Sequence, residues 1–293
     1  MNGTSHEPVL TIACLVHSSS LREACSQWLA QGHYQLVSID PCLDPIKVLD
    51  KRREDFDAVL LEVGALQPSC YHSLHQRGLL WPAVVIGEVT GQVEFHDAEV
   101  HLPPDQLEQL SYNLDAAVSR YLRKGLLGGQ ATSAGVSSPT PDGWMLSSRI
   151  KGRLGYLGVF YKRDPSRFLR QLPPNERHEL LMSLTRTYRD LLMSYFRDPA
   201  AANQALESYV NTAFFSDLPI SNTVEIHMDL IESLSKQLKF EGHPSNFLQD
   251  YRLALLDVMA HLCEMYRRSI PNNPPTPAST KGETKTSYSK EVT

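Results

Sequence analysis

Residues 57–63 read Asp57-Ala58-Val59-Leu60-Leu61-Glu62-Val63. The apolar run from Ala58 to Leu61 is too short for a stable helix and does not alternate with polar residues. Strands with one wet face alternate, whereas strands covered on both faces do not. The stretch therefore predicts a central strand of a parallel sheet with helices on either side. Upstream, Val9–Val16 and Tyr34–Ile39 read as strands, and Leu21–Ala30 and Pro45–Arg53 as helices. Downstream, Pro82–Gly87 is a fourth strand, Glu99–Leu102 a short fifth, and Asp105–Arg123 a closing helix. Alternating strands and helices imply an α/β layer architecture, here over residues 1–124.

The composition changes after Lys124. Residues 125–145 are rich in Gly, Ser, Thr and Pro and read as a flexible linker. From 146 to 270 the pattern is helical and predicts an all-α four-helix bundle. Pro174–Arg197 and Pro199–Ser216 are its first two helices. A third runs to Glu241 with Ser221 as its cap, and a fourth follows a cap at Ser245. Gly152, Gly155 and Gly158 weaken any helix before Arg170, so that stretch reads as a connector. Residues 271–293 carry five charges and almost no apolar mass, and predict a disordered tail.

The last helix places Leu248, Tyr251, Leu255, Val258, Leu262 and Met265 on a heptad seam, widened by Leu256, Met259, Cys263 and Tyr266. A stripe this wide fits a bundle that also dimerises, and fits an ordinary monomeric core about equally well. Cys263 reads as inert filling of that seam.

The net charge of -5 argues against a general nucleic-acid binder. No apolar run is long enough to span a membrane. Val9–Val16 lacks a basic region before it and reads as a strand, not a signal peptide. The five cysteines form no CxxC pair, which fits reduced thiols in a cytoplasmic protein. The sequence holds no phosphate-binding loop, nucleotide fingerprint, nucleophile elbow or zinc spacing. The expectation is a protein that is not an enzyme and holds no metal.

The strand order of the first domain is that of a receiver domain, a flavodoxin-like fold. Phosphotransfer in such a domain needs an acidic pair after the first strand and an Asp after the third. It also needs a hydroxyl residue after the fourth strand and a Lys after the fifth, to hold magnesium and the phosphoryl charge. The chain instead has His17 and Ser18, Glu62, Gly87, and Pro103 with Pro104. Glu62 thus occupies a degenerate phospho-acceptor position. It could mimic a phosphorylated Asp, although a strand-end surface carboxylate is the plainer expectation.

Several stretches of the second domain resemble the cyanobacterial circadian clock KaiA family. They are Arg153-Leu-Gly-Tyr-Leu-Gly-Val, Tyr161-Lys-Arg-Asp-Pro, Arg167-Phe-Leu-Arg, Ala213-Phe-Phe-Ser-Asp, Val224-Glu-Ile-His-Met, and Ala260-His-Leu-Cys-Glu-Met-Tyr-Arg-Arg-Ser-Ile-Pro. The first domain is similar to the family more loosely, through its degenerate receiver layout and His101–Gln109. The resemblance implies a homodimer whose bundles capture the C-terminal peptide of KaiC near the dimer interface and favour KaiC autophosphorylation. It also implies sequestration by KaiB, a first domain packed across onto the partner subunit, no catalysis, and oxidised quinone as an input signal. The competing reading is a two-component phosphotransfer or response-regulator protein. Its support is Arg177-His178-Glu179-Leu180, which superficially resembles a histidine-kinase His box, but His178 follows a double Pro and no ATP-binding domain comes after it.

Candidate residues for the partner or dimer interface are Tyr156, Phe214, Phe215, Asp217, His227, His261, Glu264 and Arg268. His261, Glu264 and Arg268 share a polar stripe with Asp257 on the last helix, where Asp257 and Glu264 flank the imidazole. Phe214 and Phe215 diverge by about 100° on a helix, so one is expected in the core and the other at an interface. His227 lies on the row Ile220, Val224, His227, Ile231, Leu234, Leu238, where a hydrogen-bonded core histidine is commoner than a ligand. Tyr156, between glycines, reads otherwise as a packing anchor of the connector.

Overall fold

The computed structural model describes residues 10–30, 34–40, 44–127, 145–150, 163–240 and 246–270. Its strands are β1 (Leu10–Leu15), β2 (Tyr34–Ser38), β3 (Ala58–Glu62), β4 (Ala83–Ile86) and β5 (Val100–Leu102). They form one parallel sheet in the order β2-β1-β3-β4-β5. Ile12 pairs with Ala58 and Leu60 with Val84, so alternate side chains stack on each face. One face carries Ile12, Cys14, Leu60, Val84 and Leu102 beneath α1 (Ser19–Leu29) and α4 (Leu110–Leu127). The other carries Ala13, Leu15, Val59, Leu61 and Val85 beneath α2 (Pro45–Lys51) and α3 (Pro68–Gln76). Both faces are covered, as the unbroken run at 58–61 predicts.

One connection differs from the sequence reading, and a second, which it left without a helix, is unusual for a parallel sheet. Helix α3 is absent from that reading, because only Tyr71 and Leu74 are buried and the apolar period is too weak to register. Its one sequence signal is Pro68 at the first helical position. Between β4 and β5 runs a loop where a parallel crossover would ordinarily use a helix. Glu99, which is buried, organises that loop. Its carboxylate accepts the N–H groups of Glu94 (2.7 Å), Phe95 (2.7 Å) and His96 (3.0 Å), and lies 2.7 Å from Nε2 of His101. Burial alone would raise the Glu99 pKa. The bonds from His101 and the backbone outweigh that and hold it below the usual carboxylate range.

The second domain is a helical bundle of α5 (Pro174–Ser194), α6 (Pro199–Phe215), α7 (Ile220–Phe240) and α8 (Arg252–Ser269). Asp198 caps α6 by accepting from the N–H groups of Ala200 and Ala201, each at 3.1 Å. Helix α7 begins at Ile220, so Ser221 lies inside it and does not cap it. Ser245 lies outside the described residues, as do most of the linker and the whole tail. Residues 145–150 are helical, and Leu146 and Ile150 join the second core of the sheet domain. Arg149 Nε donates to Asp57 Oδ1 at 3.1 Å. By packing, this stretch belongs with the sheet and not with the bundle.

The two domains share one apolar core, in which Leu107, Leu110 and Leu114 pack with Leu184, Tyr188 and Tyr209, and a set of polar side chains crosses the same interface. Fully buried Gln109 donates from Nε2 to Ser183 Oγ (2.7 Å) and Thr187 Oγ1 (2.8 Å), and its Oε1 accepts from Thr212 Oγ1 (2.8 Å). Gln106 donates to Asp190 at 3.2 Å. Ion pairs Arg120–Glu207, Arg167–Asp115 and Arg186–Glu108 flank this centre. The resemblance implies this docking across onto a partner subunit; within the single chain the sheet domain docks on its own bundle.

Candidate functional site

At the receiver-type position, β3 ends on Glu62. Its Oε2 accepts the N–H groups of His17 (2.7 Å) and Ser18 (3.1 Å), in the turn where an acidic pair would stand. Ser18 in turn caps α1 through the N–H of Leu21. The carboxylate therefore ties the turn to the strand end. Gly87 follows β4, and a Cβ there would lie 2.2 Å from Val63 Cγ2. Val63 occupies the volume that a Ser or Thr side chain would need. Among the described residues, no group of three or more His, Cys, Asp or Glu is placed to hold a metal ion. His178 is exposed and is the fifth residue of α5.

Helix α8 divides into three arcs. Ala254, Val258 and Leu262 are buried against the bundle, which places the centre of the heptad seam as predicted. On one flank Leu253 (51% exposed) and Leu256 (62%) stand out with Ala260 and Cys263. The widening residues Leu256 and Cys263 are thus exposed in the chain, and Cys263 is surface where the sequence reading made it filling. The remaining arc carries Asp257, His261, Glu264 and Arg268. Tyr195 donates its hydroxyl to Asp257 from across the bundle. Glu264 accepts from Arg267 Nε and Nη2 (each 2.7 Å) and from Arg268 Nε (2.5 Å). Those bonds hold its pKa down at about 2. The imidazole of His261 has Nδ1 2.8 Å from the carbonyl of Asp257. The carboxylates on either side are engaged elsewhere, Asp257 by Tyr195 and Glu264 by Arg267 and Arg268.

Helix α7 buries Thr223, Ile226, His227 and Leu230, and leaves Ile220, Val224 and Met228 (60% exposed) outside. The predicted row containing His227 therefore straddles the boundary between buried and exposed faces. His227 itself is a core residue: Nδ1 lies 3.1 Å from the Tyr188 hydroxyl, and burial lowers its pKa. The expectation that one of Phe214 and Phe215 faces an interface is corrected, since both are buried. Helix α6 is packed between α5 and α8 on one side and α4 with β5 on the other, so rings pointing in divergent directions each meet a layer. Phe214 lies edge-on to Phe215 at 5.1 Å and to Tyr266 at 5.0 Å. Asp217 follows α6 at φ +54° and pairs with Arg163 at 2.7 Å. Arg163 is a residue the sequence reading passed over; its only signal was its place in the quoted Tyr161–Pro165 stretch. Tyr156 lies outside the described residues.

The N-terminal residues 10–125 match a family described as "Circadian clock protein KaiA, N-terminal domain", and residues 152–273 match "KaiA C-terminal domain". The circadian clock oscillator protein KaiA of Parasynechococcus marenigrum is 57% identical over 274 residues, covering 92% of this chain and 91% of that protein. That of Synechococcus elongatus is 38% identical over 282 residues, covering 89% and 98%. The solved C-terminal domain of KaiA from Thermosynechococcus elongatus BP-1 is 46% identical, covers 34% of this chain and 95% of its own, and has a TM-score of 0.31.

Proposed function

Because this chain belongs to the circadian clock protein KaiA family, we propose that it works as a cytoplasmic homodimer that captures the C-terminal peptide of KaiC and stimulates KaiC autophosphorylation. The observation that carries the reading is the outer half of α8. There an exposed apolar strip (Leu253, Leu256, Ala260, Cys263) borders the charged arc Asp257, His261, Glu264, Arg268. The strip is of the kind a second copy covers, together with Ile220, Val224 and Met228 of α7. The arc is left at the rim, where charged groups select a partner. Sequestration by KaiB rests on the family alone, as does oxidised quinone as an input signal.

In this reading the chain transfers no group itself. Glu62 is engaged with backbone N–H groups and Gly87 has no room for a hydroxyl side chain, which supports regulation over receiver-type phosphotransfer. The test is to mix the purified protein with KaiC and ATP. Phosphorylated KaiC should rise with added protein, and the protein should sediment as a dimer. A dimer that leaves KaiC phosphorylation unchanged overturns the activity, and a persistent monomer at micromolar concentration overturns the assembly.

A further inference from the structure

Arg163 sits where three parts of the bundle meet. Its guanidinium lies 4.9 Å from the ring centroid of Phe214 on α6, 5.1 Å from that of Tyr266 on α8, and 5.3 Å from that of Phe168. Its Nη1 donates to Asp217 Oδ1 at 2.7 Å. The backbone around Asp217 closes α6 with a paired turn. Leu218 N–H donates to the carbonyl of Ala213 (2.9 Å) and Asp217 N–H to that of Phe214 (3.2 Å). That turn requires a left-handed residue, ordinarily glycine, because a Cβ is disfavoured there. Aspartate occupies it at φ +54°. Its carboxylate anchors the cation, which a glycine would not do.

Tyr266 stands on α8 between Glu264 and Arg268. A planar cation stacked on Tyr266 and tied to Asp217 fixes the last turn of α8 against the end of α6. We infer that Arg163 is a positioning residue for the partner-binding arc, holding the Glu264–Arg268 turn in its binding geometry; this rests on the functional reading above. Lysine keeps the charge but neither the flat stacking surface nor the forked donors.

The test uses full-length Arg163→Lys and Asp217→Gly. Glycine suits the turn, so Asp217→Gly keeps the fold while removing the anchor. Two readouts are needed: backbone amide resonances of residues 264–268, and titration with a KaiC C-terminal peptide. In both variants those resonances should shift. Peptide affinity should fall roughly threefold to tenfold with melting and dimerisation unchanged, the size seen when a residue acts through another. Resonances that stay in place, or an affinity equal to the parent's in both variants, overturn the inference. A parent protein that does not bind the peptide overturns the functional reading instead, and the resonances alone then decide whether Arg163 positions the turn.

Discussion

At the scale of single residues, two buried histidines make stability depend on pH. His227 is held neutral by burial. For His96, burial lowers the pKa and outweighs the opposing bond to the Trp81 carbonyl. Both folded-state values lie below the ordinary 6.5. The unfolded chain therefore takes up protons first as pH falls, and stability present above 6.5 is lost below it. Each group contributes at most about 1.4 kcal/mol per pH unit in that range. The urea midpoint should fall between pH 7.5 and 5.5, and His227→Gln should flatten part of that slope. An unaltered slope would mean His227 does not titrate with unfolding. At the same scale, Glu264→Lys exchanges the acceptor of Arg267 and Arg268 for a like charge on an exposed turn. Its melting curve should match the parent's while KaiC peptide binding weakens. A large loss of stability would instead make the arc part of the fold.

At the scale of elements, α8 and the β3–β4 strand ends carry opposite lessons. The outer strip of α8 is apolar and exposed, so Leu256→Asp should leave circular dichroism intact and shift sedimentation from dimer to monomer. A dimer that survives places the interface on another helix. The strand ends are closed instead. In Gly87→Thr the new Cβ would meet the Val63 side chain, costing about 1–3 kcal/mol. Adding Val63→Ala removes the 2.2 Å contact but keeps the 2.8 Å contact with the Val63 Cβ, so urea midpoints should recover only part of that loss. The heptad in α8 was legible because its spacing needs no partner to be counted. Helix α3 was not, since its turns carry polar residues and are held by contacts with the sheet. The β4–β5 loop was also hidden: its order comes from one carboxylate, Glu99, reaching backbone groups as far as five residues away.

Across the whole molecule, the sheet domain docks on the bundle through a shared apolar core with a buried polar centre. Gln109 is fully buried, and its amide serves Ser183, Thr187 and Thr212 at once. Gln109→Leu leaves Thr187 bonded to Gln106 but removes the partner of Ser183 and the acceptor of Thr212, each at about 1–3 kcal/mol if it finds no other partner. The domains should then unfold separately. The three tryptophans, Trp28, Trp81 and Trp144, all precede the bundle. Tryptophan fluorescence therefore follows the first domain, whereas far-ultraviolet circular dichroism is weighted to the helices. The two urea transitions should coincide in the parent and part in Gln109→Leu. Coincident transitions in the variant would show that the polar network does not couple the domains.

The sequence alone determined the parallel sheet, the bundle and the residues that stand at the receiver-type positions. Each of these depends on local spacing or on which residue type stands at a strand end. An unbroken apolar run needs two covered faces, and a Gly or Pro cannot supply a missing hydroxyl or amine. Tertiary structure alone decided which side chains remain available. Phe214 and Phe215 are adjacent and divergent, yet both are buried because α6 has packing layers on opposite sides. Cys263 and Leu256 share the pattern of a core stripe, yet are exposed because no helix among the described residues covers that arc. Arg163 gathers rings and a carboxylate from segments up to about a hundred residues apart, an association that no local period encodes because burial and stacking are properties of the packed layers.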